Sequence, residues 1–118
     1  MSIILVVDDN EILLRSIGQA IMRMGRRDVA VVTASGGEDG LAKYAEHEAD
    51  IALVLTDIMM PGMDGVEMAR RISERNPAAK IMFMTGGVDR VDVAATAGRL
   101  IEKPFDYDDL ERIVSAAS

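Results

Sequence analysis

Five side chains able to do chemistry stand at the ends of apolar runs in this chain. They are two adjacent acids, a third acid, a hydroxyl and an amine, namely Asp8, Asp9, Asp57, Thr85 and Lys103. If the apolar runs are parallel strands, their carboxyl ends lie along one edge of a sheet, where open α/β proteins bind ligands. The sequence therefore predicts that the five side chains converge on one pocket. This combination of groups favours phosphoryl transfer.

Three crowded carboxylates need positive charge nearby. Unpaired acids repel one another, and burying them away from water is costly. Lys103 supplies one positive charge and a divalent cation would supply two, and an all-oxygen site at a phosphoryl centre favours Mg²⁺. We expect Asp9 and Asp57 to bind the metal directly, and Asp8 to bind it directly or through water. The backbone carbonyl of Met59 is a further candidate ligand, because its apolar side chain is not one.

Asp57 is the candidate nucleophile. A carboxylate can attack phosphorus and become an acyl phosphate, and such transfers depend mainly on positioning and on neutralisation of charge. We expect the hydroxyl of Thr85 and the amine of Lys103 each to contact a phosphoryl oxygen, while Gly86 leaves room for the group to enter. The structural alternative is that acids at strand ends cap the helices that follow, and Asp9 fits that description too.

Alternating strands and helices must hold these residues in place. Apolar runs predict five strands, at 3–7, 29–32, 51–57, 81–85 and 99–102. Apolar residues at helical spacing predict five helices: one ending near Gly25, one beginning with a capping box at Ser35 and Glu38, one from about Asp64 to before Asn76, one near 89–97, and one from about Asp106. The longest runs are unbroken rather than alternating, as in strands covered on both faces. This pattern predicts a three-layer α/β domain around a parallel sheet.

Composition limits the classes of function. The chain has 118 residues, enough for one domain, and its 49% hydrophobic and 28% charged residues are ordinary for a globular protein. A net charge of −7 argues against a nucleic-acid surface, which needs clustered Lys and Arg. The sequence has no apolar stretch of membrane-spanning length, no basic and apolar leader, and no cysteine. We therefore expect a cytoplasmic protein that binds neither nucleic acid nor membrane directly.

The order and spacing of the motifs resemble those of the receiver domains of two-component response regulators. The matching segments read VDD, TDIMMPGMDG, MTG and KPF, at residues 7–9, 56–65, 84–86 and 103–105. The resemblance covers residues 1–118 and implies a single receiver domain. It also implies a flavodoxin-like (βα)5 three-layer sandwich with a parallel five-stranded sheet of order 2-1-3-4-5.

The resemblance further implies a switch rather than an enzyme that turns over a substrate. A sensor histidine kinase or a histidine phosphotransfer protein would donate a phosphoryl group to Asp57 in a Mg²⁺-dependent reaction. Thr85 would then move toward that group, and the state that binds a downstream output protein or domain would become more populated. The domain would catalyse only its own phosphorylation and dephosphorylation.

Three positions depart from the patterns of related chemistry. Leu100 stands where many receivers carry Tyr or Phe, so aromatic coupling to Thr85 is not implied. Met59 and Gly87 occupy positions that tune access of the hydrolysing water in this family, and neither can orient water, so we predict no specially accelerated dephosphorylation. Met59 also stands where an aspartyl-nucleophile phosphohydrolase usually has a second acid, which disfavours that alternative. The other alternative is a receiver-like module that binds partners without phosphorylation, and the intact set of site residues argues against it.

Overall fold

A five-stranded parallel sheet forms the centre of the molecule. The computed structural model describes residues 2–86, 100–103 and 105–117. Its strands are β1 (Ser2–Val7), β2 (Val29–Ala34), β3 (Ile51–Asp57), β4 (Ile81–Thr85) and β5 (Leu100–Glu102). They lie in the order β2-β1-β3-β4-β5, and all neighbouring pairs are parallel. The predicted flavodoxin-like strand order is confirmed, and it places β1 and β3 side by side.

The strands contribute to a hydrophobic core on each face of the sheet. Successive side chains of a strand point to opposite faces, so an unbroken apolar run supplies both cores. Ile4 and Val6 belong to one core cluster, whereas Leu5 and Val7 belong to the other. All four side chains are 0% exposed. This explains why β1 is apolar at consecutive positions and not only at every second one.

Four helices within the described ranges cover these two faces: α1 (Glu11–Arg23), α2 (Gly37–His47), α3 (Gly65–Arg75) and α4 (Tyr107–Ala116). In the first core cluster, α1 buries Ile17 and α4 buries Ile113. In the second, α2 buries Tyr44 and α3 buries Ile72. The predicted three layers are confirmed, while the helix predicted near 89–97 lies outside the described residues. None of the four helices is long and apolar enough to cross a membrane.

Most helix ends lie where the local sequence predicts them. Gly25, with φ of +74°, comes just after the end of α1, and α3 ends at Arg75, directly before Asn76, both as predicted. Asp106 begins α4 through a capping box that it shares with Asp109. Reciprocal bonds between these two residues satisfy backbone N–H groups that a helix start leaves without partners.

The predicted capping box at the start of α2 is wrong. α2 begins at Gly37, and the residue before it makes no side-chain hydrogen bond to the helix. Asp39, rather than Glu38, reaches back: its Oδ2 accepts from the backbone N–H of Ser35 at 3.0 Å. The predicted box fails because Asp39 occupies the Ser35 N–H, the donor that Glu38 would have to accept from. Gly37 packs closely against Met63, since a Cβ at Gly37 would lie 2.6 Å from the Met63 carbonyl oxygen.

Candidate functional site

The carboxyl ends of β1 and β3 bring three acids together. Asp8 follows β1 and is 1% exposed, Asp57 ends β3 and is 9% exposed, and Asp9 is exposed. One ligand oxygen from each carboxylate lies within 4.8 Å of those of the other two. The sheet register causes this, since Val7 pairs with Thr56 and each of these residues directly precedes an acid.

Lys103 brings a positive charge to this acid cluster, which consists of Asp8, Asp9 and Asp57. Its Nζ donates to Asp8 Oδ2 at 3.0 Å and to Asp57 Oδ2 at 3.4 Å. Its backbone N–H donates to the Thr85 carbonyl oxygen at 2.8 Å, which holds the end of β5 beside the end of β4. The lysine side chain is 20% exposed, so it points into the site rather than into solvent.

The negative charge at Asp57 is only partly compensated. Burial raises the pKa of the Asp57 carboxyl, and the charge of Asp8 adds to the rise. The charge and the hydrogen bond of Lys103 and the backbone N–H of Ile58 act in the opposite direction, without cancelling it. A further cation at the acid cluster would therefore favour the ionised form of Asp57.

The backbone at Asp57 is held from three directions. The buried hydroxyl of Thr56 donates to the Asp57 carbonyl oxygen at 2.9 Å, and the Ile58 N–H donates to the Met84 carbonyl oxygen at 3.2 Å. Gly65, the first residue of α3, donates its N–H to the Ile58 carbonyl oxygen at 2.9 Å. A Cβ at Gly65 would overlap the Asp57 carbonyl oxygen, so this close approach requires glycine.

The loop 58–64 joins Asp57 to α3. Asp64 is the N-cap of α3, and its Oδ1 accepts a backbone N–H of the first helical turn at 2.8 Å. Met59 lies near the start of the loop, with its side chain 59% exposed. The contact of Gly65 with Asp57 was not predicted from the sequence. The available signal was the Asp64-Gly65 pair, a capping acid followed by a residue without a side chain.

The N-cap alternative for Asp9 is wrong. Asn10 caps α1, and its Oδ1 accepts from the Leu13 N–H at 3.1 Å. The Asn10 N–H in turn donates to Asp8 Oδ1 at 2.9 Å. Because the helix start is satisfied by Asn10, the carboxylate of Asp9 is left at the acid cluster.

Thr85 ends β4 at the same edge of the sheet, and Gly86 follows it. Thr85 is 4% exposed and pairs with Glu102 on β5. A Cβ at Gly86 would meet no described atom within 4 Å. Leu100 pairs with Phe83 and packs, partly buried, against the second core cluster. Gly87 lies outside the described residues.

The acid cluster fits a magnesium ion by its chemistry. Its ligand atoms are carboxylate oxygens, the donors that Mg²⁺ prefers in proteins. Three negative charges face one ammonium group, and a divalent cation would balance the remainder. Asp8, Asp9 and Asp57 are therefore the residues that could hold the metal.

Comparisons with known proteins agree with the fold and the motifs. The family model of the response regulator receiver domain matches residues 4–115. The response regulator receiver protein CpdR of Brucella abortus is 34% identical over 113 residues, which are 92% of this chain and 88% of CpdR. The transcriptional regulatory protein AfsQ1 of Streptomyces coelicolor is 36% identical over 93 residues, 79% of this chain, and the match spans 39% of AfsQ1. The solved structure of the response regulator TrrA of Thermotoga maritima, in complex with Mg²⁺–BeF, is 28% identical with a TM-score of 0.84, and all of both chains is covered.

The matches to the family model, CpdR and TrrA extend over nearly the whole chain. Receiver domains are phosphoacceptor switches rather than classical enzymes, and they interact with kinases and output domains. The strand order, the acid cluster and the family match lead to the same assignment. The chain belongs to the receiver domains of two-component response regulators.

Proposed function

We propose that Asp57 is the phosphoacceptor of this receiver domain, and that the acid cluster and the backbone carbonyl of Met59 bind the Mg²⁺ that the reaction requires. The observation that carries this proposal is the approach of three carboxylates within 4.8 Å, beside one lysine. Of the three acids, Asp57 is the one whose backbone is held by Thr56 and Gly65. The complex of TrrA with Mg²⁺–BeF supports the same metal.

Phosphoryl transfer to Asp57 needs few groups from the chain. A carboxylate oxygen of Asp57 attacks phosphorus, and the bond from phosphorus to the donor's histidine nitrogen breaks, so that an acyl phosphate forms and the imidazole keeps the electron pair. The bound metal supplies charge neutralisation at the phosphoryl oxygens. Lys103 pairs with one phosphoryl oxygen and the Thr85 hydroxyl donates to another. The domain thereby assists its own phosphorylation and dephosphorylation and turns over no other substrate.

Protein partners deliver and read the phosphoryl group. A sensor histidine kinase or a histidine phosphotransfer protein is the donor, and a downstream output protein or domain binds the phosphorylated state. Ile12, in the first turn of α1, is 77% exposed, and Met59 is 59% exposed. These exposed apolar side chains, close in sequence to Asp9 and Asp57, are available to contact the donor protein. Phosphorylation then shifts the population toward the state that binds the output partner.

Residues 1–118 form one receiver unit in this proposal. The family model matches 4–115, and the described strands belong to one sheet. In AfsQ1 the matching part is 39% of a longer protein, so an output function can reside in a separate domain. For this chain, the output is carried either by such a domain or by a separate protein.

Intact-mass spectrometry after incubation with acetyl phosphate tests the acceptor. The wild-type chain, Asp57→Asn and Asp50→Asn are compared with and without Mg²⁺; Asp50 is an exposed acid beyond the end of α2 and serves as the matched control. We expect one added phosphoryl group in wild type and Asp50→Asn, dependent on Mg²⁺, and none in Asp57→Asn.

Two results would contradict the proposal. Phosphorylation of Asp57→Asn at the wild-type level would place the acceptor elsewhere. No mass gain in a folded wild-type chain that binds Mg²⁺ would instead favour the module that binds partners without phosphorylation.

A further inference from the structure

A shallow groove lies between α1 and β2. β2 is an edge strand of the described sheet, and β4 and β5 lie toward the other edge. Its volume is about 700 Å³. Its floor is apolar and is formed by Leu14, Gly18 and Met22 of α1 and by Ala30 and Val31 of β2. None of the acid-cluster residues lines it.

Gly18 makes a depression in the middle of this α1–β2 groove. A Cβ at this position would lie 3.7 Å from Val31 Cγ1, which is an ordinary van der Waals contact. The fold therefore does not need glycine at this position. The missing side chain leaves room for one apolar group from outside, and a larger residue at Gly18 would occupy that room.

Two arginines on the groove form no ion pair with a carboxylate of the described residues. Arg15 and Arg23 line the groove, and none of its described lining residues is acidic. By contrast, five other described arginines each pair with a carboxylate: Arg26, Arg70, Arg71, Arg75 and Arg112. In a chain with a net charge of −7, this apolar groove with two available cations complements an acidic partner and not a basic one.

We propose that the α1–β2 groove binds an extended acidic segment of a partner protein, with two acids four residues apart and an apolar residue midway. Arg15 and Arg23 are separated by eight helical residues, or about 12 Å. Four residues of an extended chain span about 13 Å. Residues i, i+2 and i+4 of such a chain point to one side, so the two acids face the arginines while the apolar residue enters the depression at Gly18.

The sheet edge favours an extended segment over a helical one. β2 pairs with β1 and is the last strand on its side of the described sheet. An exposed strand edge can pair with an added extended peptide through main-chain hydrogen bonds. Lys43 Nζ donates to the Thr33 carbonyl oxygen at 3.1 Å, which covers the carboxyl end of β2. The segment therefore lies beside Ala30 and Val31, close to the arginines.

Two synthetic nine-residue peptides and the whole ¹⁵N-labelled chain test this proposal. The first peptide has Asp at its third and seventh positions, Leu at its fifth, and Ser or Thr elsewhere; the second has the same composition with the two Asp adjacent. We expect saturable amide shifts around Gly18, Ala30 and Val31 with the first peptide. The second peptide should bind about fivefold more weakly, because only one acid can reach an arginine.

Paired variants separate a specific groove from general electrostatic attraction. Arg23→Glu should weaken binding about tenfold, while Arg27→Glu, which changes an exposed arginine outside the groove, should weaken it about twofold or less. Gly18→Leu should prevent binding by filling the depression, in a chain whose amide spectrum shows that it remains folded.

Three outcomes would overturn the proposal. They are no saturable shifts at millimolar peptide, equal weakening by Arg23→Glu and Arg27→Glu, and a dimer in sedimentation that Arg23→Glu dissociates. The last would assign the groove to a second copy of the chain. Because Asp57 takes no part, each of these results leaves the phosphoacceptor proposal unchanged.

Discussion

The two strand ends that carry the acids are built differently. After β1, two acids are followed at once by Asn10, a separate residue that caps α1. After β3, the loop 58–64 intervenes, and α3 returns so closely that Gly65 contacts the Asp57 backbone. At β1, the helix cap and the candidate metal ligand are therefore different residues. At β3, the start of the helix and the position of the candidate acceptor depend on each other.

The two strand ends therefore differ in how well they tolerate substitution. Asp9 is exposed, and a substitution there disturbs little besides the charge of the acid cluster. Asp57 is buried on a strand whose end contacts both β4 and α3. We conclude that Asp9 can be altered with small effects on stability, whereas changes at the β3 end alter the fold and the site together.

The strongest test of this contrast is Gly65→Ala. The added Cβ overlaps the Asp57 carbonyl oxygen, so either α3 or the end of β3 must move. We expect the free energy of unfolding to fall by about 3 kcal/mol, together with the loss of most Mg²⁺-dependent phosphorylation. Urea unfolding and intact-mass measurements on the same preparation give the two readouts.

Gly86→Ala is the matched control, because a Cβ at Gly86 meets no described atom within 4 Å. Its effect on the free energy of unfolding should stay below about 0.5 kcal/mol. Equal losses of stability in the two variants would show that the close contact between Gly65 and Asp57 does not determine the effect of the added Cβ.

Asp57→Asn should stabilise the metal-free protein at neutral pH. The pKa of Asp57 is raised by burial and by Asp8, so the folded state holds a proton more tightly than the unfolded chain does. Stability then falls as pH rises from the unfolded value of about 3.9 through the folded pKa. In EDTA at pH 7 we expect the variant to gain on the order of 1 kcal/mol, and the gain should vanish below about pH 3.5. Urea unfolding between these pH values measures it.

Added Mg²⁺ gives the complementary comparison. The metal should stabilise wild type more than Asp57→Asn, because the variant lacks one of the proposed ligands. A gain for Asp57→Asn that persists in acid would contradict the electrostatic origin of the effect.

The smallest expected effects lie at the β1 end, where Asn10→Ala and Asp9→Asn should separate capping from metal binding. Asn10→Ala removes the acceptor for the Leu13 N–H and should cost about 1 kcal/mol of stability, with Mg²⁺ affinity nearly unchanged. Asp9→Asn should change stability by less than about 0.5 kcal/mol but weaken Mg²⁺ binding at least about tenfold. Titration calorimetry together with thermal unfolding distinguishes the two. A loss of Mg²⁺ affinity in Asn10→Ala as large as that in Asp9→Asn would remove the distinction.

Sequence reasoning was most successful where the local pattern coincides with the layout of the sheet. The runs that end in Asp8 and Asp57 are strands, and parallel pairing places their ends together. Lys103 reaches both acids, as its predicted place at the end of the last strand implies. These results depend only on strand direction and strand order, which the order of the motifs along the sequence predicts.

Sequence reasoning failed where packing between distant segments decides the outcome. The capping box at Ser35 and Glu38 has the right spacing, but Asp39 accepts the Ser35 N–H instead, and α2 starts at Gly37, which lies against Met63 of the loop 58–64. The contact of Gly65 with the Asp57 carbonyl oxygen is not specified by the local pattern either, although the Asp64-Gly65 pair is compatible with it. β2 also continues to Ala34, beyond the predicted end, because its pairing with β1 continues that far.

The anchored loop has a consequence for evolution. Both ends of the loop 58–64 are held, through Ile58 and Gly65, while Met59, Pro61 and Gly62 between them are exposed. Surface loops of this kind accept substitutions that their supporting elements do not. Descendants of this chain can therefore acquire new partner preferences by mutation at Met59 and Pro61, while they inherit the reactive carboxylate unchanged. Duplicated copies of the gene could diverge into separate signalling pathways along this loop before any other part of the site had to change.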